Sequence, residues 1–152
     1  MNPVALLIED DRHFSDMLAT ACTDHGITVV HARDGKRAVE YMERTCKIST
    51  SGKSAPDVIV LELLVPKKDG FEVLHWMRRH RVHIPVVVVT HLGDREDIHR
   101  ARELGARAVL VKSNTSTTHI VTEIQKYFAG MLGDKESLRS EHDHSDKEQK
   151  RQ

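Results

Sequence analysis

Four short apolar runs in this chain each end on a side chain that can do chemistry. Val4–Ile8 leads into Glu9, Asp10 and Asp11, Asp57–Leu61 into Glu62, Val86–Val89 into Thr90, and Arg107–Val111 into Lys112. A single acid after a strand is most often a helix cap. Acids from two such ends, met by a hydroxyl and an ammonium, make a different object. Like charges about 4 Å apart repel by roughly 1 kcal/mol in water and about 4 kcal/mol at an effective dielectric of 20. A cluster of this kind needs a counter-charge, or one carboxylate must hold a proton. Lys112 supplies one positive charge. Mg²⁺ is the other natural partner, because it prefers hard oxygen ligands and keeps several waters.

A parallel sheet is the element that would bring these tips together, since all its strands end at one edge. The stretch PDVIVLELLVPKKDG, Pro56 to Gly70, reads as its centre. The run up to Leu61 is apolar on both faces, as a fully covered parallel strand requires. Pro66 blocks continuation, and Asp69 is an N-cap residue for the next helix. Around this centre the chain alternates. A helix is expected from Arg12 to His25, with Phe14, Met17, Leu18, Ala21 and Cys22 on its buried stripe and Gly26 as its stop. A strand over Ile27–His31 follows, and Asp34-Gly35 turns into a second helix that buries Ala38, Val39 and Met42. Lys47–Ala55 is polar and reads as a long loop. The third helix, from Asp69 to about His80, points Phe71, Leu74 and Met77 inward and leaves Trp76 at the rim. The fourth, Asp94–Leu104, has a thin apolar face of Ile98, Ala101 and Leu104, and the fifth, about Thr115–Leu132, buries Ile120, Val121, Ile124 and Phe128. Strand–helix alternation of this kind predicts an α/β fold, a (βα)5 doubly wound parallel sheet in the order 2-1-3-4-5.

Composition narrows the class further. The 152 residues suit one folded unit, expected over 1–132, and a polar tail over 133–152 too poor in apolar residues to order itself. Lys+Arg and Asp+Glu both number 23, so no lopsided basic surface suggests nucleic acid. Cys22 and Cys46 lie in helical patterns and read as small buried hydrophobes. The eleven histidines are scattered without a metal-ligand layout and read as structural or solvated. No signal-peptide pattern and no membrane-length apolar run is present, so a cytoplasmic protein is expected.

The motifs Ile8-Glu9-Asp10-Asp11, LELLVPKKDG, Val89-Thr90 and Val111-Lys112 stand in the order and spacing of another set of proteins. Over about residues 3–130 the chain resembles the receiver domain of two-component response regulators, whose fold is flavodoxin-like. The resemblance implies a stand-alone phosphorelay receiver, not an enzyme, that takes a phosphoryl group from a sensor histidine kinase. It places Glu62 at the phosphoacceptor position. Glu9, Asp10, Glu62 and the Leu64 carbonyl become the Mg²⁺ ligands, and Thr90 and Lys112 the groups that engage phosphoryl oxygens. It also implies output through protein contacts on residues 94–132, where self-association as a homodimer is an expectation.

Three positions depart from that family. The acceptor is Glu62 where receivers carry Asp, which moves the carboxylate by about 1 Å, and misplacement of that size can cost roughly 10²-fold in a transfer. Ser113 follows Lys112 where receivers usually have a cis-linked Pro, and a non-proline cis bond costs about 2.5–4 kcal/mol. Val109 stands where a switching Tyr or Phe is common. These departures favour altered or phosphorylation-independent switching. Two other readings stay open: ordinary phosphorylation at Glu62 or at Asp10 or Asp11, and a Mg²⁺-dependent phosphohydrolase. Against the last, the segment after the first strand lacks Asp-x-Asp, and there is no Walker-type loop or GxGxxG.

Overall fold

The computed structural model describes residues 2–46 and 55–128. Five parallel strands, β1 Val4–Ile8, β2 Thr28–Ala32, β3 Val58–Leu61, β4 Val86–Thr90 and β5 Ala108–Val111, pair in the order β2-β1-β3-β4-β5. Between and after them come α1 Arg12–Asp24, α2 Gly35–Cys46, α3 Gly70–Arg79, α4 Arg95–Glu103 and α5 Thr117–Gln125, with a single 3-10 turn at Lys112–Asn114. The architecture is the expected flavodoxin-like one.

Successive strand residues face opposite sides, and each side has its own core. Leu6, Ile8, Ile59, Leu61 and Val88 pack against α2, α3 and Ala101 of α4. Ala5, Leu7, Val58, Val60 and Val87 pack against Leu18 and Cys22 of α1 and Ile120, Val121 and Ile124 of α5. Register then aligns the strand tips. Ile8 lies opposite Leu61, and Thr90 opposite Val111, so Glu9 and Glu62 leave the sheet side by side and Lys112 leaves it beyond Thr90.

Several local expectations are corrected. Met17 is 43 % exposed, and Ser15 takes its place among the buried residues of α1. The helix is rotated so that residues 15, 18 and 22 face the sheet. Ser15 is tolerated there because its hydroxyl is hydrogen-bonded to His31 Nδ1 at 2.8 Å. Cys46 is half-buried, not buried. On α4 only Ala101 is buried, with Ile98 and Leu104 half-covered. α5 runs from Thr117 to Gln125, and the amides of Lys126, Tyr127 and Phe128 then bond three residues back in a turn, while the rest of the helix expected as far as Leu132 lies outside the described residues. No cis peptide bond occurs among the described residues. The polar loop expected over Lys47–Ala55 falls, except for Ala55, outside the described residues, as does the tail expected after Gly133.

A buried acid at the start of α2 anchors the loop after β3. Asp34, 4 % exposed, caps α2 by accepting the Arg37 amide at 2.7 Å and pairs with Lys67 at 3.7 Å. Next to it, a Cβ on Gly35 would fall 1.9 Å from the Lys68 carbonyl oxygen, so only glycine permits this approach of the loop to α2.

Candidate functional site

The three strand-tip charges meet. Glu9 and Glu62 are each 3 % exposed, and the Lys112 side chain only 5 %. Lys112 Nζ donates to Glu9 Oε2 at 2.8 Å and to Glu62 Oε1 at 3.4 Å. The same ammonium lies 4.1 Å from the centroid of the Phe14 ring, whose face attracts cations. The remaining oxygens are taken by main-chain amides. Glu9 Oε1 accepts from Asp11 at 3.1 Å, Glu62 Oε2 from Leu63 at 2.7 Å, and Glu62 Oε1 also from His91 at 3.3 Å.

Local sequence explains why Glu62 can reach these donors. The chain doubles back after β3, with the Gly70 amide bonded to the Leu63 carbonyl at 2.8 Å. A Cβ on Gly70 would lie 2.6 Å from Leu63 Cα, so the fold-back depends on glycine here. Asp69 then starts α3 by accepting the Glu72 amide at 2.9 Å. On the neighbouring tip, Asp11 caps α1 by accepting the Phe14 amide at 3.1 Å, which sets Phe14 in the first turn.

Two carboxylates share one ammonium, so the buried group is one positive charge short of neutrality. Burial raises the Glu9 pKa above its ordinary value, and the nearby Glu62 charge adds to this, while the Lys112 hydrogen bond and charge and the Asp11 amide pull it down.

Not every predicted residue joins. Asp10 is exposed and makes no hydrogen bond to Glu9, Glu62 or Lys112. Thr90 is fully buried, yet its hydroxyl accepts the Leu92 amide at 3.2 Å and makes no hydrogen bond to Glu62. Leu64 lies in the loop with its side chain 54 % exposed. Val109 is half-buried against the α2–α3 core. Among the described residues no three His, Cys, Asp or Glu side chains are grouped to hold a metal ion. The oxygens present are of the right kind for Mg²⁺, but as arranged the Lys112 ammonium holds the position between the two acids. Sequence reading missed the amides of Leu63 and His91, which carry no side-chain signal, and the contact of Phe14 with Lys112.

Comparison with known proteins gives a consistent result. The family model described as "Response regulator receiver domain" matches residues 5–125. The chain is 33 % identical over 133 residues to the probable methanogenesis regulatory protein FilR2 of Methanothrix harundinacea, covering 84 % of each. It is 34 % identical over 116 residues to response regulator Rcp1 of Synechocystis, covering 72 % of this chain and 76 % of that one. A solved Mn²⁺-bound form of Rcp1 superposes with a TM-score of 0.68 at 27 % identity, over 84 % of this chain and 92 % of that one. The receiver domain of Francisella response regulator 1452 shares the fold, with a TM-score of 0.74 at 24 % identity, over 86 % and 99 % of the two chains. Some longer transcriptional regulators match over less than half their length.

Proposed function

The chain belongs to the response regulator receiver family, and from that premise we propose that it is a two-component receiver whose switching rests on a built-in carboxylate, Glu62, in place of a phosphorylated Asp. The observation that carries this reading is the company Glu62 keeps. Its carboxylate already takes the donors an incoming anion would need: the Lys112 ammonium and the amides of Leu63 and His91. Mimicry is partial, because a carboxylate carries one negative charge and a phosphoryl group about −1.5 to −2. Val109 removes the ring through which Thr90 would be coupled to the outer face. Output then goes through protein contacts on residues 94–132, with a sensor kinase, another signalling protein or a second copy as partner, in the cytoplasm and without nucleic acid.

Divalent metal fits this reading as a competitor. Glu9, Asp10, Glu62 and the Leu64 carbonyl are the oxygens that would hold Mg²⁺, as a relative is known in a Mn²⁺-bound form. When bound, the ion would neutralise the acids as Lys112 now does. The chain's own geometry works against it, since Lys112 engages both buried acids and Asp10 bonds to neither of them.

Incubation with acetyl phosphate and Mg²⁺ followed by intact-mass measurement tests the proposal. The expected result is an unmodified protein and a phosphorylated Glu62→Asp variant. Stoichiometric phosphorylation of the unaltered chain would overturn it. A second reading, phosphorylation at Asp10 or Asp11, has support in the exposure of both residues. Peptide mapping of any modified protein separates it from transfer to Glu62.

A further inference from the structure

We infer that the sheet edge remote from Glu62 carries a docking groove for an acidic peptide segment bearing one large apolar side chain. A cavity of about 270 Å³ opens there between the ends of α3 and α4 and the start of β4. Leu74, Met77, Ile84 and Leu104 give it an apolar lining. Its charged lining residues are Arg78, Arg81, Arg107 and one acid, Glu103, whose carboxylate already faces His99 at 3.3 Å. Arg78 is held by the Glu103 carbonyl at 3.3 Å, whereas Arg81 and Arg107 have no carboxylate within 4.0 Å among the described residues. The whole chain has no net charge, so this local excess is not a by-product of a basic composition.

Arg81 supplies an independent argument. Helices α1, α3 and α4 end in the same hydrogen-bond pattern, with the amides of Ile27, Val82 and Ala106 reaching five residues back to Cys22, Met77 and Ala101. The pivot residue of that pattern sits in the left-handed region, which glycine enters freely. α1 and α4 use Gly26 at φ 76° and Gly105 at φ 107°, but α3 uses Arg81 at φ 54°. An arginine is strained where glycine is not, and it stands beside the cavity. The guanidinium is the gain set against that strain, and a carboxylate is the group it recognises bidentately.

The test is NMR titration of the full ¹⁵N-labelled chain with the capped peptide EDLED, with EDGED and KKLKK as controls. Amide shifts are expected around Met77, Arg81 and Arg107 with EDLED, and about tenfold weaker binding of EDGED and of EDLED to Arg81→Gly. Arg81→Gly should melt at a higher temperature than the parent, so weaker binding in it is not a folding defect. Binding by KKLKK, equal binding by Arg81→Gly, shifts centred elsewhere, or none at millimolar peptide would each overturn the inference. Preferential binding to phosphatidylserine vesicles would overturn it in favour of a membrane surface.

Discussion

Removing the Lys112 ammonium would leave Glu9 and Glu62 facing each other, each 3 % exposed. Breaking a buried pair by deleting one partner costs about 3–5 kcal/mol. Lys112→Met is therefore expected to lose stability of that order in urea unfolding, and Lys112→Met/Glu9→Leu/Glu62→Leu, which removes both buried acids, to regain much of it. A different titration belongs to His31. Partial desolvation of this otherwise exposed ring, helped by the Arg33 charge and opposed by that of Asp16, lowers its pKa from 6.5, and Ser15 bonds its ring. Below pH 6.5 the unfolded chain takes up a proton that the folded chain resists, so stability falls as pH drops until the folded pKa is passed. Chemical denaturation between pH 7 and pH 5 should show this decline, and His31→Gln should lack it. At this scale the sequence was legible where a side chain follows an apolar run: Glu9, Glu62 and Lys112 lie where their positions imply. The local contact of the Thr90 hydroxyl with the Leu92 amide was not legible, because it depends on how the loop after β4 turns.

The fold-back between β3 and α3 is the element that aims the acid at its partners. Gly70→Ala would press a methyl to 2.6 Å from Leu63 Cα, where backbone must yield. Overpacking of this kind costs about 1–3 kcal/mol. The expected result is that loss in unfolding free energy together with shifted amide resonances for Leu63 and His91, the two donors to Glu62. A variant with parental resonances there would show that the loop does not position the carboxylate. Helix beginnings were readable from Asp11, Asp34 and Asp69, each of which caps as its residue type suggests. Two other features were not. Spacing alone could not distinguish the stripe through Met17 from the one through Ser15, because the choice turns on a hydrogen bond to another strand. The turn that follows Gln125 has no breaker residue to announce it.

Across the molecule the helices are unequally anchored, even two that pack on the same core. α4 buries only Ala101, while α3 buries Gly70, Phe71, Val73, Leu74 and Met77. Local opening follows such differences. Native-state hydrogen exchange should find α4 amides exchanging well before those of β1 and β3, and equal protection would contradict this packing argument. The strand order was legible because apolar runs alternate with amphipathic ones, which leaves few topologies. The groove at the far edge was not, since it depends on how two loops, α3–β4 and α4–β5, meet. The carboxylate of Glu62 belongs to the polypeptide itself. A tethered anion has no off-rate and no hydrolytic lifetime. Under the proposed function, what its pairing with Lys112 communicates would need no phosphatase to end it and would persist as long as the chain does.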